Sequence, residues 1–412
     1  SAADDWPQWR GANRDGIWRE TGLLKAFDTK QVKVLWRAKI GAGYSGPTVA
    51  DGRVYITDRH DKGSTSERIH CLEAKTGKTI WTRSYPCRYR VGYALGPRAS
   101  VTVDEGLAHV LGAMGHFYCL DAATGKVVWK LDAVKAYRAR NIMWGFAAAP
   151  LVYGDLVILH IGGTGGACIV ALDKKTGREK WKAIDDGMSY SALIIITRGG
   201  NDVLICWTKH SLAGLAPGTG KVHWQIPFEI TKSWQMSSMT PIVESDLVFV
   251  SACYDGSMLV RMSADGRKAR QVWRKRGVAY NKTVALQCVH STPVIFGGHI
   301  YGIDGRGQFR CIETATGRRL WEDLTLTPRG QKWGTVHMVQ NGKTTWMFNE
   351  MGEVIIGKLS PGGFKRISRA KLIEPTDRTP GRLVCWSHPA FANKCIYARN
   401  DRELVCGDLS AE

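Results

Sequence analysis

Short apolar segments alternate with polar turns along this chain, and one such pattern occurs five times. Each copy has an apolar strand, a turn that contains Thr-Gly, and a second strand that ends in Trp. The copies are residues 71–81, 119–129, 171–181, 214–224 and 311–321. Glycine adopts a positive φ without a steric penalty, so the pattern predicts a β-hairpin. Gly and Trp are four residues apart in every copy, so each Trp is expected on the same sheet face.

Seven tryptophans recur at intervals of 43 to 52 residues, which is typical of one four-stranded propeller blade. They are Trp36, Trp81, Trp129, Trp181, Trp224, Trp273 and Trp321. Third strands are recognisable eight times, ending near Leu72, Leu120, Leu172, Leu215, Met262, Ile312, Ile356 and Cys406. The pattern therefore predicts an all-β, eight-bladed β-propeller of four-stranded antiparallel blades. The segment from Val34 to Ala38 lacks a blade of its own and is predicted to close the last one.

Residues 1–33 precede the first blade and contain three tryptophans, Trp6, Trp9 and Trp18. We expect this leader to lie extended on the propeller, with the indoles anchored against blade edges. Residues 34–412 are expected to form a single propeller domain.

The repeat and its spacing resemble the pyrroloquinoline-quinone-like (PQQ-like) eight-bladed β-propellers, a superfamily that includes the BamB-like assembly factors. The opening segment 5–16, DWPQWRGANRDG, resembles a secreted branch of that superfamily whose function is largely unassigned. No secretory signal peptide is present at Ser1, and family members usually carry one, so the resemblance implies a mature, processed chain in the periplasm or outside the cell. It also implies a protein partner, although fold alone does not determine function.

The chain has 11 cysteines, and four of them, Cys71, Cys119, Cys311 and Cys406, occupy equivalent strand positions. Repeat-equivalent cysteines are best interpreted as small core residues. Cys87, Cys288 and Cys385 lie in connecting loops and could pair or stay free. Dehydrogenases of the superfamily carry a vicinal cysteine pair beside the quinone. This chain has none, which counts against a dehydrogenase that uses PQQ with calcium.

The formal net charge is +20, from 57 Lys and Arg against 37 Asp and Glu. Such a surface suits an acidic or sulfated polysaccharide or anionic lipid headgroups, or it is simply a soluble basic surface. A secreted location makes nucleic acid an unlikely partner. No apolar stretch reaches the ~18 residues of a membrane-spanning helix, so any membrane contact is expected to be peripheral. The chain is expected to be a monomer.

The loops that enter the innermost strands are long, and the turns at the opposite face are short. These loops are residues 85–97, 131–146, 227–239, 277–289, 324–335 and 370–385. Binding residues usually lie on loops held by a rigid scaffold, so this face is the expected working face. Aligning the first strands places one residue per blade at the channel mouth, namely Tyr44, Arg98, Ala147, Tyr190, Ser238, His290, Gly334 and Trp386. This variable ring indicates either a ligand site or a tolerant, hydrated mouth.

Three further mouth residues, Trp144, Trp333 and His388, complete the candidate ligand-binding set. His290, His337 and His388 lie on consecutive blades and are weak candidates for a metal site. In the alignment, His337 has the opposite strand parity to the other two. The alternative is that these histidines bond to the backbone of a neighbouring blade.

The favoured function is recognition or scaffolding of a protein partner or an acidic glycan. The second hypothesis is a polysaccharide lyase that acts by β-elimination on a uronate-containing chain. Arg98 would neutralise the carboxylate, and Tyr44, Tyr190 or His290 would act as base or acid. A quinone-dependent dehydrogenase is third. A glycosidase is disfavoured because the mouth offers no carboxylate pair and Asp185 and Asp186 form a loop doublet.

Overall fold

The protein is an eight-bladed β-propeller, and a computed structural model describes residues 5–61, 65–93, 95–140, 142–231, 237–279, 282–328, 330 and 332–411. Every blade is a four-stranded antiparallel sheet. The predicted fold class is therefore confirmed. Residues 94, 141, 232–236, 280, 281, 329 and 331, which belong to the entering loops, lie outside the described residues.

The first four blades follow the chain from the channel outward, after the single strand β1 (Val34–Lys39). Blade 1 contains β2 (Thr48–Ala50), β3 (Arg53–His60), β4 (Ser66–Glu73) and β5 (Thr79–Pro86). Blade 2 contains β6 (Thr102–Asp104), β7 (Leu107–Leu111), β8 (His116–Asp121) and β9 (Val127–Asp132), followed by the helix α1 (Ala133–Tyr137). Blade 3 contains β10 (Leu151–Tyr153), β11 (Leu156–Gly163), β12 (Ala167–Asp173) and β13 (Glu179–Ala183). Blade 4 contains β14 (Ile194–Arg198), β15 (Asn201–Trp207), β16 (Ser211–Leu215) and β17 (Val222–Pro227).

The last four blades repeat this order, except that a small hairpin precedes the final one. Blade 5 contains β18 (Ile242–Glu244), β19 (Leu247–Ala252), β20 (Gly256–Met262) and β21 (Ala269–Lys275). Blade 6 contains β22 (Val294–Phe296), β23 (His299–Ile303), β24 (Phe309–Glu313) and β25 (Arg319–Asp323). Blade 7 contains β26 (Val336–Asn341), β27 (Thr344–Asn349), β28 (Glu353–Ser360) and β29 (Gly363–Lys371). The mouth hairpin pairs β30 (Asp377–Thr379) with β31 (Arg382–Val384), and blade 8 contains β32 (Ala390–Ala392), β33 (Cys395–Arg399) and β34 (Glu403–Asp408).

The outer strand of blade 8 is β1, which pairs antiparallel with β34 from Val34 opposite Gly407 to Lys39 opposite Glu403. This arrangement confirms the predicted closure. It joins the start of the chain to its last strand, so the two ends of the ring hold each other through main-chain hydrogen bonds.

The repeated Trp and Gly form the contact between consecutive blades. The indole of Trp36, in blade 8, lies against Gly77 of blade 1, where a Cβ atom would come within 2.5 Å of the ring. Trp36 Nε1 donates a 2.9 Å hydrogen bond to the carbonyl oxygen of Ala74. Equivalent indole bonds to the next blade are made by Trp81, Trp129, Trp181, Trp224, Trp273 and Trp321. The turn glycine therefore adopts the positive φ that the turn requires, and because it has no Cβ it leaves room for the neighbouring blade's indole.

The described part of the leader reaches the channel itself. Trp6 forms a β-bridge with Val49, and the main chain of Trp18 bonds to Gln340 of blade 7. Between them, the guanidinium of Arg14 donates to the carbonyl oxygens of Ala149 (3.2 Å) and Leu193 (3.1 Å) and to that of Pro150. The leader thus follows the innermost edge strands of the blades and extends into the channel beneath the working face.

The core lies between the blades, and it includes the cysteines. All 11 cysteines are within the described residues, and each is a buried free thiol. Cys71, Cys119, Cys311 and Cys406 are at most 1% exposed, in agreement with their predicted core role. The loop cysteines Cys87, Cys288 and Cys385 are also free, which settles the alternative left open by the sequence. No helix in the described parts of the chain has the length and apolar character needed to cross a membrane.

Candidate ligand-binding site at the channel mouth

A cavity of about 160 Å³ lies at the centre of the entering-loop face. All eight candidate ligand-binding residues from the sequence line it, namely Tyr44, Arg98, Trp144, Tyr190, His290, Trp333, Trp386 and His388. His337 lines it as well. These residues come from seven of the eight blades, with two each from blades 7 and 8. Most of them lie at or just before the start of an innermost strand, where the propeller brings these positions together.

Blades 3 to 5 contribute small residues to the lining of the cavity, beside the rings of Trp144 and Tyr190. Ala147 and Ala149 precede β10, Ala192 precedes β14, and Ser238 and Thr240 precede β18. The opposite side is lined by large rings from blades 6 to 8 and blade 1. A ligand would therefore lie against the small residues with its face toward the rings.

Trp386 is the centre of the aromatic side. Its ring centroid lies 4.6 Å from that of His290, 5.4 Å from Tyr93, 6.2 Å from Tyr44 and 6.4 Å from Trp333. A second pair, Trp144 and Tyr190, stands apart with 5.4 Å between centroids. Rings that meet at such edge-on and tilted angles form a firm apolar wall.

The floor is Trp9 from the leader, a residue that the sequence does not place here. Its ring meets His388 edge-on with 4.0 Å between centroids, and its Nε1 donates a 2.6 Å hydrogen bond to Thr240 Oγ1. Tyr93 and Ser100 also line the cavity without belonging to the candidate set. Ser100 is two residues after Arg98 on the same face, so strand alternation could have found it. Nothing in the sequence indicates the path of the leader.

Arg98 supplies the positive charge among the described lining residues. Its guanidinium lies 5.3 Å from the ring centroid of Tyr44, and it donates to the carbonyl oxygens of Gly92 (3.1 Å) and Gly96. Burial lowers the pKa of Arg98, and the neighbouring Tyr44 opposes that shift. An arginine stays protonated throughout the physiological range, so the cavity keeps a fixed cation.

Two buried arginines of the leader, Arg10 and Arg14, lie beneath the cavity, and a third, Arg399, lies between blades 8 and 1. Burial lowers the pKa of Arg10 to about 10 and that of Arg14 to about 9, so both remain charged at neutral pH. Arg399 is fully buried and donates to the carbonyl oxygens of Thr57 (2.7 Å) and Gly41. Positive charges in a low-dielectric channel raise the local concentration of anions at its mouth.

The three histidines are neutral at physiological pH. Burial lowers the pKa of His290 to about 3 and that of His337 to about 4, and it lowers the pKa of His388 well below its usual value. His337 Nε2 lies 2.8 Å from the carbonyl oxygen of Trp386, so that nitrogen carries the proton. Among the described residues, no three His, Cys, Asp or Glu side chains are grouped to hold a metal ion. The candidate histidine metal site is therefore not assembled, and the bond to a neighbouring blade's backbone applies to His337.

Blade 7 is displaced by one residue from the alignment used for the sequence. Asn341 pairs with Thr344 across the β26–β27 turn, just as Ala50 pairs with Arg53 in blade 1. Counted back from that turn, His337 occupies the strand position in blade 7 that His388 occupies in blade 8. Both side chains therefore face the channel, with 6.0 Å between their ring centroids. Gly334 accordingly does not line the cavity, and Trp333 does. The predicted opposite parity of His337 is wrong because the turn places Met338, and not His337, at the position that Pro47 occupies in blade 1.

A buried carboxylate holds the wall in place. Glu350, which is 1% exposed, pairs with Arg382 of the mouth hairpin at 2.8 Å. It also accepts bonds from the main-chain N–H of Thr335 (3.1 Å) and from Trp386 Nε1 (3.4 Å). Burial raises the pKa of Glu350, and the ion pair with Arg382 opposes this. Glu350 therefore connects the loop of Trp333, the hairpin and Trp386.

The described lining residues include no carboxylate. Calcium prefers several oxygen ligands, with carboxylates among them. The cavity therefore does not fit a quinone held by calcium.

Comparisons with known proteins agree on the fold. A family model, PQQ_2, described as outer membrane protein assembly factor BamB, matches residues 20–90 and 65–323. The outer membrane protein assembly factor BamB of Burkholderia pseudomallei (strain K96243) is 24% identical over 357 residues, which cover 82% of this chain and 74% of that protein.

Two solved structures share the architecture. BamB from Moraxella catarrhalis superimposes with a TM-score of 0.60 at 16% identity, covering 91% of this chain and 99% of that one. Quinohemoprotein alcohol dehydrogenase from Comamonas testosteroni gives a TM-score of 0.67 at 13% identity, covering 100% of this chain and 81% of that one. At these identities both likenesses concern the fold alone.

Proposed function

The chain belongs to the PQQ_2 family of BamB-type propellers, and from this premise we propose that it is a binding and scaffolding protein that acts outside the cytoplasm. The family scaffold suits a protein-binding propeller. The name of the Burkholderia relative, an outer membrane protein assembly factor, supports both a protein partner and an extracytoplasmic location.

One observation carries the proposal, namely the convergence of rings from several blades around the buried cation of Arg98. Trp, Tyr and Arg dominate the energetic centres of protein interfaces, where they occupy desolvated pockets. In this cavity the ring wall would receive an apolar group, and Arg98 would bind an adjoining anionic group. The partner is thus expected to insert a segment that presents both.

An acidic glycan is the second candidate ligand, and a separate observation favours it. The net charge of +20 and the buried arginines of the channel attract polyanions. A uronate sugar combines an apolar ring face with a carboxylate, which is the same pair of features that an acidic peptide offers. A protein partner and an acidic glycan are therefore expected to contact the same residues of the cavity, and only titration with each kind of ligand distinguishes them.

Catalysis by a lyase mechanism has less support from the chemistry of the site. A general base works best with a pKa near the working pH. Burial leaves the pKa of His290 at about 3, and burial raises the pKa of Tyr190 above its ordinary range. Neither group is tuned to take a proton from a sugar at neutral pH, so binding is the function we propose.

The experiment is a calorimetric titration of the folded protein at low salt with two probes, a Glu/Tyr-rich acidic peptide and tri-galacturonate. Arg98→Gln is expected to weaken the binding of whichever probe binds by about tenfold to a hundredfold, the usual effect of losing a hydrogen bond to a charged group. Arg83→Gln is the matched control, because Arg83 is exposed on the outer strand β5 and its loss changes the net charge equally. The proposal fails if neither probe binds, or if the two variants lose the same affinity.

A further inference from the structure

The mouth hairpin spans the edge of the cavity and is attached at both ends. At its second strand, Arg382 pairs with Glu350 at 2.8 Å and donates to the carbonyl oxygen of Lys332 (2.8 Å). At its first strand, the carboxylate of Asp377 accepts a hydrogen bond from the phenol of Tyr44. The first attachment is a buried ion pair, and the second is made with a residue that lines the cavity.

Asp377 lies beside the polar end of the cavity. Its partner Tyr44 is the ring over which the guanidinium of Arg98 stands, at 5.3 Å. The side chain of Asp377 is only 8% exposed. The Asp377 carboxylate thus accepts a hydrogen bond from the Tyr44 phenol and interacts electrostatically with the Arg98 guanidinium. These are the two polar groups that an acidic ligand would use.

The groups that face Asp377 come from four other segments. Tyr44 and Arg98 lie in the loops that enter blades 1 and 2, and both favour its charged form. Asp401, in the connection between β33 and β34, is a second carboxylate and disfavours that form. Tyr93 and the thiol of Cys385 are also within electrostatic range. The Asp377 carboxylate therefore has a hydrogen-bond donor in Tyr44, a cation in Arg98 and a second carboxylate in Asp401 around it.

We propose that Asp377 is an internal competitor for the anion site, so that an acidic ligand binds by displacing its carboxylate from Tyr44. This inference rests on the proposed function, because it requires the cavity to bind an anionic group. The mouth hairpin stays in place, since its two strands remain paired and Arg382 is held by the buried carboxylate of Glu350. Displacement frees the Tyr44 phenol and moves one negative charge away from Arg98.

The competition gives binding a pH dependence of defined sign. Burial, and then the charge of Asp401, raise the pKa of Asp377 to about 6, against the hydrogen bond from Tyr44. Above that pH the carboxylate repels an anionic ligand. Below it, Asp377 gains a proton and loses its charge, while a uronate or glutamate-rich ligand of lower pKa keeps its own. Affinity for an acidic ligand is therefore expected to rise as the pH falls through about 6.

The test is calorimetric titration of tri-galacturonate at pH 5.5 and pH 8.0 at constant ionic strength, with the wild-type chain and two variants. We expect wild-type affinity to be about tenfold higher at pH 5.5, a change typical of removing one nearby like charge. Asp377→Asn should bind at pH 8.0 as tightly as the wild type binds at pH 5.5, and should show little change with pH. Glu374→Gln removes the same charge from an exposed residue three positions earlier and should behave as the wild type does.

The outcomes separate the two proposals. If the wild-type chain binds the probe and Asp377→Asn binds no tighter at pH 8.0, or keeps the wild-type pH dependence, the competition is overturned while the cavity remains a binding site. If the wild type and both variants are folded by thermal unfolding and none binds at either pH, glycan recognition at the cavity is overturned together with the competition.

Discussion

The ring of Tyr93 meets the ring of Trp333 edge-on, with 5.5 Å between centroids, and both residues have a left-handed backbone, with φ of 64° and 62°. Bulky side chains seldom adopt this conformation, which costs about 1–3 kcal/mol per residue. Both rings line the candidate cavity. The wall of the mouth is therefore built at the expense of stability, as is common where a binding surface has to hold a particular shape.

At position 93 a glycine variant should be more stable than an alanine variant, which is the reverse of the usual order. At ordinary positions Ala is the more stabilising of the two by roughly 0.5–1 kcal/mol. Because φ at Tyr93 is 64°, we expect Tyr93→Gly to be more stable than Tyr93→Ala by about 1 kcal/mol. Urea unfolding of the two variants measures the difference. A Tyr93→Ala protein as stable as Tyr93→Gly would show that the left-handed backbone is not strained.

The contact between Trp36 and Gly77 should be visible in a pair of glycine substitutions. Gly77 and Gly52 have nearly equal φ, at 71° and 72°, but a Cβ on Gly77 would meet the Trp36 ring at 2.5 Å, whereas at Gly52 there is open space. We expect Gly77→Ala to cost about 1–3 kcal/mol more than Gly52→Ala, as overpacking usually does. The midpoints of urea unfolding give the comparison. Equal losses would mean that the blade contact adjusts without cost.

The leader should contribute to global stability through Arg14. Its guanidinium is buried against main-chain carbonyl oxygens from neighbouring blades, and Arg14→Met would leave those oxygens without their donor. We expect a loss of about 2–4 kcal/mol, because unpaired buried groups are costly. Arg19→Met, which removes an exposed cation paired with Asp15, should cost less than about 1 kcal/mol. Thermal or urea unfolding would contradict this if the two losses were alike.

Stability should fall with acid below pH 6.5, in part because of His337. Burial lowers the pKa of this histidine to about 4, below the ordinary value of about 6.5 in the unfolded chain. Its contribution to the free energy of unfolding is complete above pH 6.5 and is lost as the pH falls toward 4, because the unfolded chain then binds the extra proton. His337→Asn keeps a donor for the Trp386 carbonyl and should show a shallower loss between pH 6.5 and 4.5, by up to about 1 kcal/mol per pH unit. The effect is excluded if the free energies of unfolding of the two proteins, measured in urea, fall equally as the pH is lowered across this range.

Much of the mouth could be located from the sequence, because repeats allow one blade to be compared with another. Tyr44, Arg98, Tyr190, His290 and Trp386 were placed there by counting residues back from a framework position, and the structure brings them around one cavity. The count is wrong in blade 7, where it takes His337 instead of Met338 as the framework position. The parity of His337 depends on a turn whose pairing is visible only in the folded sheet.

The periodicity of the chain is enough to establish the number of blades and the four-stranded hairpin architecture, because these strands pair with close neighbours in the chain. The closure by β1 follows from the same count, since Val34–Lys39 is an outer strand without a blade of its own and the last blade lacks one. Only the tertiary structure decided that Trp9 forms the floor of the cavity, 231 residues from its partner Thr240, and that Asp377 meets Tyr44 across 333 residues. The physical reason is that segments outside the repeat carry no periodic signal. Their positions are set by how side chains fill the channel after the ring has closed.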